Sequence, residues 1–149
     1  MRSFTLAQAP AVLERLQQAI RRFAGVPQRT AVLAAPEVAK LPRTEFEQGA
    51  DPYGNPWEPL KPSSLYGKRG SEILVNTGKM RDGTVAEVVP GGIRVRSGAQ
   101  YSKFAQGGFT RGKTHVQPRK IFPSQGIPHS WSLVLKKAAH DACVQAGRV

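Results

Sequence analysis

Eight residues in the second half of the chain, Gly107-Gly108-Phe109-Thr110-Arg111-Gly112-Lys113-Thr114, fit the pattern G-x-x-x-x-G-K-[ST] letter for letter. That pattern holds nucleoside triphosphates when a buried strand precedes the first glycine and a helix starts at the lysine. Free helix N–H groups and the helix dipole then face the phosphates. Here the preceding residues, Tyr101-Ser102-Lys103-Phe104-Ala105-Gln106, do not read as a buried parallel strand, and Pro118 follows Thr114 too closely for the required helix. No later apolar strand ends in an aspartate that would help hold magnesium. The stretch reads as a flexible basic loop.

Other chemistry-bearing residues are sparse. His115, His129 and His140 are not at i, i+4 spacing, and the metal-binding H-E-x-x-H pattern does not occur. His140 follows Ala139 on the last apolar-periodic segment, where a structural role is expected. Glu45 and Glu47 are close in sequence and are expected to be solvated. Cys143 is the single cysteine, so neither an internal disulfide nor a cysteine metal cage can form. Its place on an apolar helical stripe predicts a buried, inert thiol. No catalytic, cofactor-binding or metal-ligating residue is assigned, and the chain is not expected to be an enzyme. A nuclease site assembled from distant residues is the alternative for which no motif speaks.

Charge speaks more clearly. The chain carries 22 Lys and Arg against 10 Asp and Glu, a formal net charge of +12. Between Glu87 and Asp141 there are nine basic residues and no acid. A solvated face normally mixes both signs, so this interval points to something negative, either nucleic acid or an acidic protein. Arg94, Arg96, Lys103, Arg111, Lys113, Arg119 and Lys120 alternate with Tyr101, Phe104, Phe109 and Phe122. Such interleaving can grip phosphates and stack bases. The competing reading makes the aromatics core anchors and turns the charges towards solvent or a partner. Without a helix-turn-helix, zinc-finger or ribonucleoprotein motif, sequence-specific binding is disfavoured. A nonspecific DNA-binding protein is the alternative that remains.

The elements that must position these residues follow from periodicity. Val12, Leu13, Leu16, Ile20 and Phe23 have helical spacing, with Pro10 in a first turn and Gly25 and Pro27 as a stop. TAVLAAPEVAK predicts a short helix, a break at Pro36, and a second short helix ending near Pro42. From Phe46 to Arg69 the composition predicts a loop, long enough to suggest function. TVAEVV, Pro90-Gly91-Gly92 and IRVRS predict a hairpin over 84–97. Val85 and Val89, then Ile93 and Val95, supply its apolar positions, with Arg94 and Arg96 on the opposite face. ILVNTG before it is a further candidate strand. Glycines and prolines over 98–129 predict an extended basic arm or loop. Trp131, Val134, Leu135, Ala138, Ala139, Ala142 and Cys143 predict a last helix capped by Ser130.

The sum is one α+β domain over 1–149: N- and C-terminal helices on a mainly antiparallel sheet. It divides into a helical part (1–43), a Pro/Gly-rich loop (44–70), sheet and basic arm (71–129) and a C-terminal helix (130–146). No apolar run resembles a signal peptide or approaches the roughly 20 residues of a membrane span. The expectation is a chain that is cytosolic when made, with no membrane partner.

The order of the remaining signals is distinctive. Phe46-Glu47 leads to Asp51-Pro52-Tyr53-Gly54-Asn55-Pro56-Trp57-Glu58-Pro59-Leu60 and Lys61-Pro62-Ser63-Ser64-Leu65. Ile73-Leu74-Val75-Asn76-Thr77-Gly78-Lys79-Met80-Arg81-Asp82 follows, then Tyr101-Ser102-Lys103-Phe104 with Gly107-Gly108, and Pro118-Arg119-Lys120-Ile121-Phe122-Pro123. From about residue 40 to about residue 140 this resembles the phage virion morphogenesis family, the Mu-type tail completion proteins of tailed bacteriophages. That family has a P-x-G-x-x-W loop, an I-L-x-x-T-G-x-L-x-x-S segment, a hairpin, a Y-A-x-x-x-x-x-G segment and a P-x-R-x-F stretch before a final helix. Met80 stands where leucine is usual, Gly83 near the usual serine, and Lys120-Ile121 lengthens the approach to Phe122.

The resemblance implies a virion protein at the tail end or head–tail junction, a ring (sixfold) around the DNA channel, without cofactor or turnover. Its implied partners are neighbouring neck and tail proteins, with nonspecific DNA contact in the channel. On this reading Trp57 and Pro56 anchor a neighbouring subunit, with a place in the chain's own core as the even alternative for Trp57. Phe109 and Phe122 are anchors of the arm, on the domain or on a neighbour. Arg94, Arg96, Lys103, Arg111, Lys113, Arg119 and Lys120 form a channel- or partner-facing surface. Gly54, Thr77 and Gly78 are structural turns.

Overall fold

The computed structural model describes residues 9–62, 73–74 and 78–148. Its elements are α1 (Ala9–Ala24), α2 (Val26–Val38), α3 (Leu41–Gln48), α4 (Lys79–Asp82), β1 (Thr84–Val89), β2 (Gly92–Ser97), α5 (Ser102–Gly107), β3 (Phe109–Arg111), β4 (Thr114–Val116) and α6 (His129–Gly147). The class is α+β, with helices at both ends and antiparallel strands between.

Small residues set the first core. Ala31, Ala34, Ala35 and Val38 recur on one face of α2, and Trp131, Ala138, Ala142 and Ala146, at steps of seven, four and four, do so on α6. Alanines let the two helices approach closely, and Trp131 joins Ala34, Val38 and Ala138 in one buried cluster. The β1–β2 hairpin covers this pair with Ala86, Ile93 and Val95. Cys143 is exposed, contrary to the expectation of a buried thiol. The buried row runs through Ala138, Ala142 and Ala146, and Cys143 lies one residue, about 100° of helix, beyond it.

Pro36 does not break α2, which continues to Val38. A helical proline leaves the carbonyl four residues back without its donor. That carbonyl belongs to Val32, which is exposed, so water can take the donor's place. The second helical stretch, α3, then carries Phe46 into a helix rather than a loop and ends at Gly49, which is left-handed.

The hairpin pairs Ala86 with Val95 and Val88 with Ile93. Val85 and Val89 therefore share the outer face with Arg94 and Arg96, one residue out of step with the sequence expectation. Strands occur among the described residues as two separate two-stranded sheets, β1–β2 and β3–β4. The interval expected to be an extended arm or loop holds α5 and the second of these hairpins. Of the strand expected at ILVNTG, residues 75–77, Thr77 among them, lie outside the described residues; Ile73 and Leu74 lie in a turn.

Candidate functional site

The Pro/Gly-rich loop and the segment 118–126 form one seam. The loop builds itself first. The carboxylate of Asp51 accepts from the backbone N–H of Tyr53 (2.9 Å) and of Asn55 (2.8 Å) and from the Asn55 side-chain amide (2.9 Å). Burial pushes the Asp51 carboxyl up, but these hydrogen bonds, with the positive charge of Lys120, outweigh it and hold the group below its ordinary value. Gly54, at φ 88°, closes the turn in the left-handed region, and the chain returns to pair Ala50 with Pro56. Gly78 occupies the same region at φ 74°, just before α4.

Four side chains then fasten this loop and α5 to the 118–126 segment. The Trp57 indole N–H donates to the Lys120 carbonyl at 3.1 Å. The Arg119 guanidinium donates to the Glu58 carbonyl at 2.9 and 3.2 Å. The Gln106 side-chain oxygen accepts from the backbone N–H of Ile121 (2.8 Å) and Phe122 (3.0 Å), and its amide donates to the Phe122 carbonyl (2.8 Å). The Tyr53 hydroxyl accepts from the N–H of Ser124 (3.0 Å) and Gln125 (2.6 Å) and donates to the Gly126 carbonyl (3.2 Å).

Beneath the seam lies the second core of Phe46, Trp57, Met80, Ala99 and Ile121, with Phe122 packed against it. Trp57 is 6% exposed and meets Phe46 edge-to-face at 5.5 Å. In the single chain Trp57 thus occupies its own core, while Pro56 beside it is exposed. Phe109 is exposed and stacks edge-on with Phe104 at 5.9 Å. The two rings, with Leu60, Leu74, Met80 and Tyr101, line an open apolar cleft of about 540 Å³.

The basic residues separate into two kinds. Arg94, Lys103 and Lys113 are exposed, and the Lys103 ammonium sits 5.1 Å from the centre of the Phe104 ring. Arg96 is exposed but forms an ion pair with Glu87 on the same sheet face. Arg119 and Lys120 are half-buried, and Arg119 serves the seam. Arg111 contributes its backbone to β3.

The phosphate-loop look-alike folds as the end of α5 followed by the β3–β4 hairpin, with Gly112 and Lys113 in its turn. Lys113 precedes a strand instead of opening a helix. Among the described residues no group of three or more His, Cys, Asp or Glu could hold a metal ion. No described helix is long and apolar enough to cross a membrane.

Sequence reasoning missed Glu45. Expected to be solvated, it is buried, and its Oε1 accepts from the Trp131 indole N–H at 3.1 Å while Oε2 has no partner. Burial raises its pKa from 4.5 to about 8, against the opposing hydrogen bond from Trp131 and with some repulsion from Asp51. The available signal was spacing: Val38, Pro42, Glu45 and Phe46 continue one buried face from α2 into α3.

The family model for phage virion morphogenesis matches residues 7–139. No curated protein and no solved structure gives a significant match.

Proposed function

The chain belongs to the phage virion morphogenesis family, and from that premise we propose that it completes the tail end or joins the tail to the head, as one subunit of a ring around the DNA channel. A structural role in building a phage particle follows from the family itself. The position within the particle and the ring are the further step.

One observation carries that step. The seam fixes the 118–126 segment against the Pro/Gly-rich loop, so the neighbouring basic residues stand on a rigid base. Beside it Lys103, on α5, and Lys113, in the β3–β4 turn, reach solvent, as does Arg94 on the separate β1–β2 hairpin, in an interval without a single acid. A cation that serves only solubility needs no such segregation of sign. Repeated around an axis, these side chains present a positive surface to an acidic neighbouring ring or to passing DNA. Pro56, Phe109 and the cleft beside Phe104 supply apolar contacts for the adjoining protein.

Electron microscopy of tails incubated with the purified protein tests this reading. The expected image is a closed ring of added density at one tail end. Tails that gain no density there, with the protein instead decorating free DNA, would replace the reading by nonspecific DNA binding.

A further inference from the structure

Helix α1 is covered almost nowhere. From Ala11 to Phe23 every residue is exposed except Ala19, which is half-buried. Leu13, Leu16, Ile20 and Phe23 are between 50 and 60% exposed. These four fall at steps of three, four and three, the spacing of a seam between two helices rather than of the broader stripe that rests on a protein core. Ala19 lies to one side of that seam, so the part of α1 nearest its own chain is not its apolar face. Large apolar side chains in a contiguous row mark an interaction site, unlike scattered single ones. A helix of this length is also marginal in water without packing.

The distribution of charge selects the occupant. Glu14, Arg15, Arg21 and Arg22 all lie on the far side of α1 from the seam. The residues flanking the seam are Val12, Gln17, Ala19 and Ala24, none of them charged. An acidic partner would require cations on the contact face, and this face has none. A second copy of the chain, although its net charge is +12, meets no like charge there. The row also maps onto itself when reversed about Gln18. Antiparallel pairing sets Leu13 against Phe23 of the second copy and Leu16 against Ile20, matching each large side chain with another.

We infer that α1 is a self-association surface, pairing with α1 of a second copy about a two-fold axis. Such a contact is isologous, each copy offering the same patch. It is distinct from the head-to-tail contacts that close a ring, and it links subunits or rings two by two.

Sedimentation equilibrium of the full chain at micromolar concentrations tests the inference, alongside the double variant Leu16→Glu/Ile20→Glu. The wild type is expected to form dimers or larger even-numbered species, and the variant to lose the pairing and halve the mass while keeping its thermal transition. A monomeric wild type, or a variant of unchanged mass, overturns the inference. Cysteine cross-linking in a Cys143→Ser background reads the register without introducing charge. Mixing Leu16→Cys with Ile20→Cys chains is expected to give a disulfide-linked heterodimer. Linkage of Leu16→Cys chains to themselves, or no linkage at all, overturns the antiparallel pairing.

Discussion

The indole N–H of Trp57 donates to the carbonyl oxygen of Lys120 at 3.1 Å, joining residues 63 positions apart. The bond comes from a side chain already buried against Phe46, so it fixes the return segment to the core rather than to the surface. Trp57→Ala removes both the packing and the bond and is expected to destabilise the monomer by about 3–5 kcal/mol. Trp57→Phe keeps a ring and loses the donor, leaving the Lys120 carbonyl unserved, for a cost of about 1–2 kcal/mol. Denaturant midpoints of the two variants check the order. An unchanged monomer that fails to assemble would instead assign Trp57 to a neighbouring subunit.

Tyr53 offers a milder probe of the same seam. Its hydroxyl makes three backbone hydrogen bonds but lies at the surface, where water competes for each of them. Tyr53→Phe is expected to cost about 1–2 kcal/mol, less than the sum of three buried bonds. The amides of Ser124 and Gln125 should exchange hydrogen faster in the variant while those of α6 stay protected.

Much of this organisation was legible in the sequence, for identifiable reasons. Pro90-Gly91 closes a two-residue turn between the expected strands, and Gly91 takes the left-handed angle that such a turn demands. The assignment of its faces failed because Val85 and Val88 are both apolar, and only the pairing decides which of them shares a face with Ile93 and Val95. Pro36 misled because α2 carries the proline through to Val38, with the residue four positions back, Val32, on its exposed side. The seam itself left no local signal. Gln106, Tyr53 and Arg119 act on backbone groups from 15 to 73 residues away, and nothing in their immediate neighbourhoods announces those partners. Trp57 could be recognised as an anchor, but not what it anchors to.

Glu45 gives the fold a pH dependence. Its pKa is 4.5 ordinarily and about 8 in the folded chain, so the folded state holds the proton more tightly than the unfolded one. The associated stability is fully present below about pH 4.5 and is lost as pH rises through about 8. Within that window the loss runs at roughly 1.4 kcal/mol per pH unit. The lowered pKa of Asp51 acts in the opposite sense: it favours the fold above its ordinary value of 3.8, and that benefit fades in acid. The two effects therefore occupy different parts of the pH scale. Glu45→Gln keeps an acceptor for the Trp131 indole and removes the ionisable group. Urea midpoints of this variant are expected to be flat between pH 5 and pH 8 to a first approximation, roughly where the wild type slopes downward.

Charge reversal on the outer face of the first hairpin would distinguish an effect on folding from one on joining. Glu87 stands directly across from Arg94 and pairs with Arg96. Arg94→Glu/Arg96→Glu gathers three acids there while leaving Ile93 and Val95 in place beneath. Exposed ion pairs contribute at most about 1 kcal/mol, so the chain should still fold. Charge reversal acts only over about 8 Å at physiological salt, which limits its effect to a surface in contact. Heads and tails are expected to form but to remain unjoined in a complementation assay, read by counting joined particles. A normal yield would make these arginines a solvated strand face.

The four fastenings of the 118–126 segment follow one another along the chain: Arg119 to Glu58, Trp57 to Lys120, Gln106 to residues 121 and 122, and Tyr53 to residues 124–126. Their response to force depends on its direction. A pull applied through α6, which begins immediately beyond at His129, strips them singly, Tyr53 first, as a zip opens. A pull along the segment strains all of them together, as shear strains a row of rivets. The same few hydrogen bonds thus make a joint that is weak to peeling and strong to sliding.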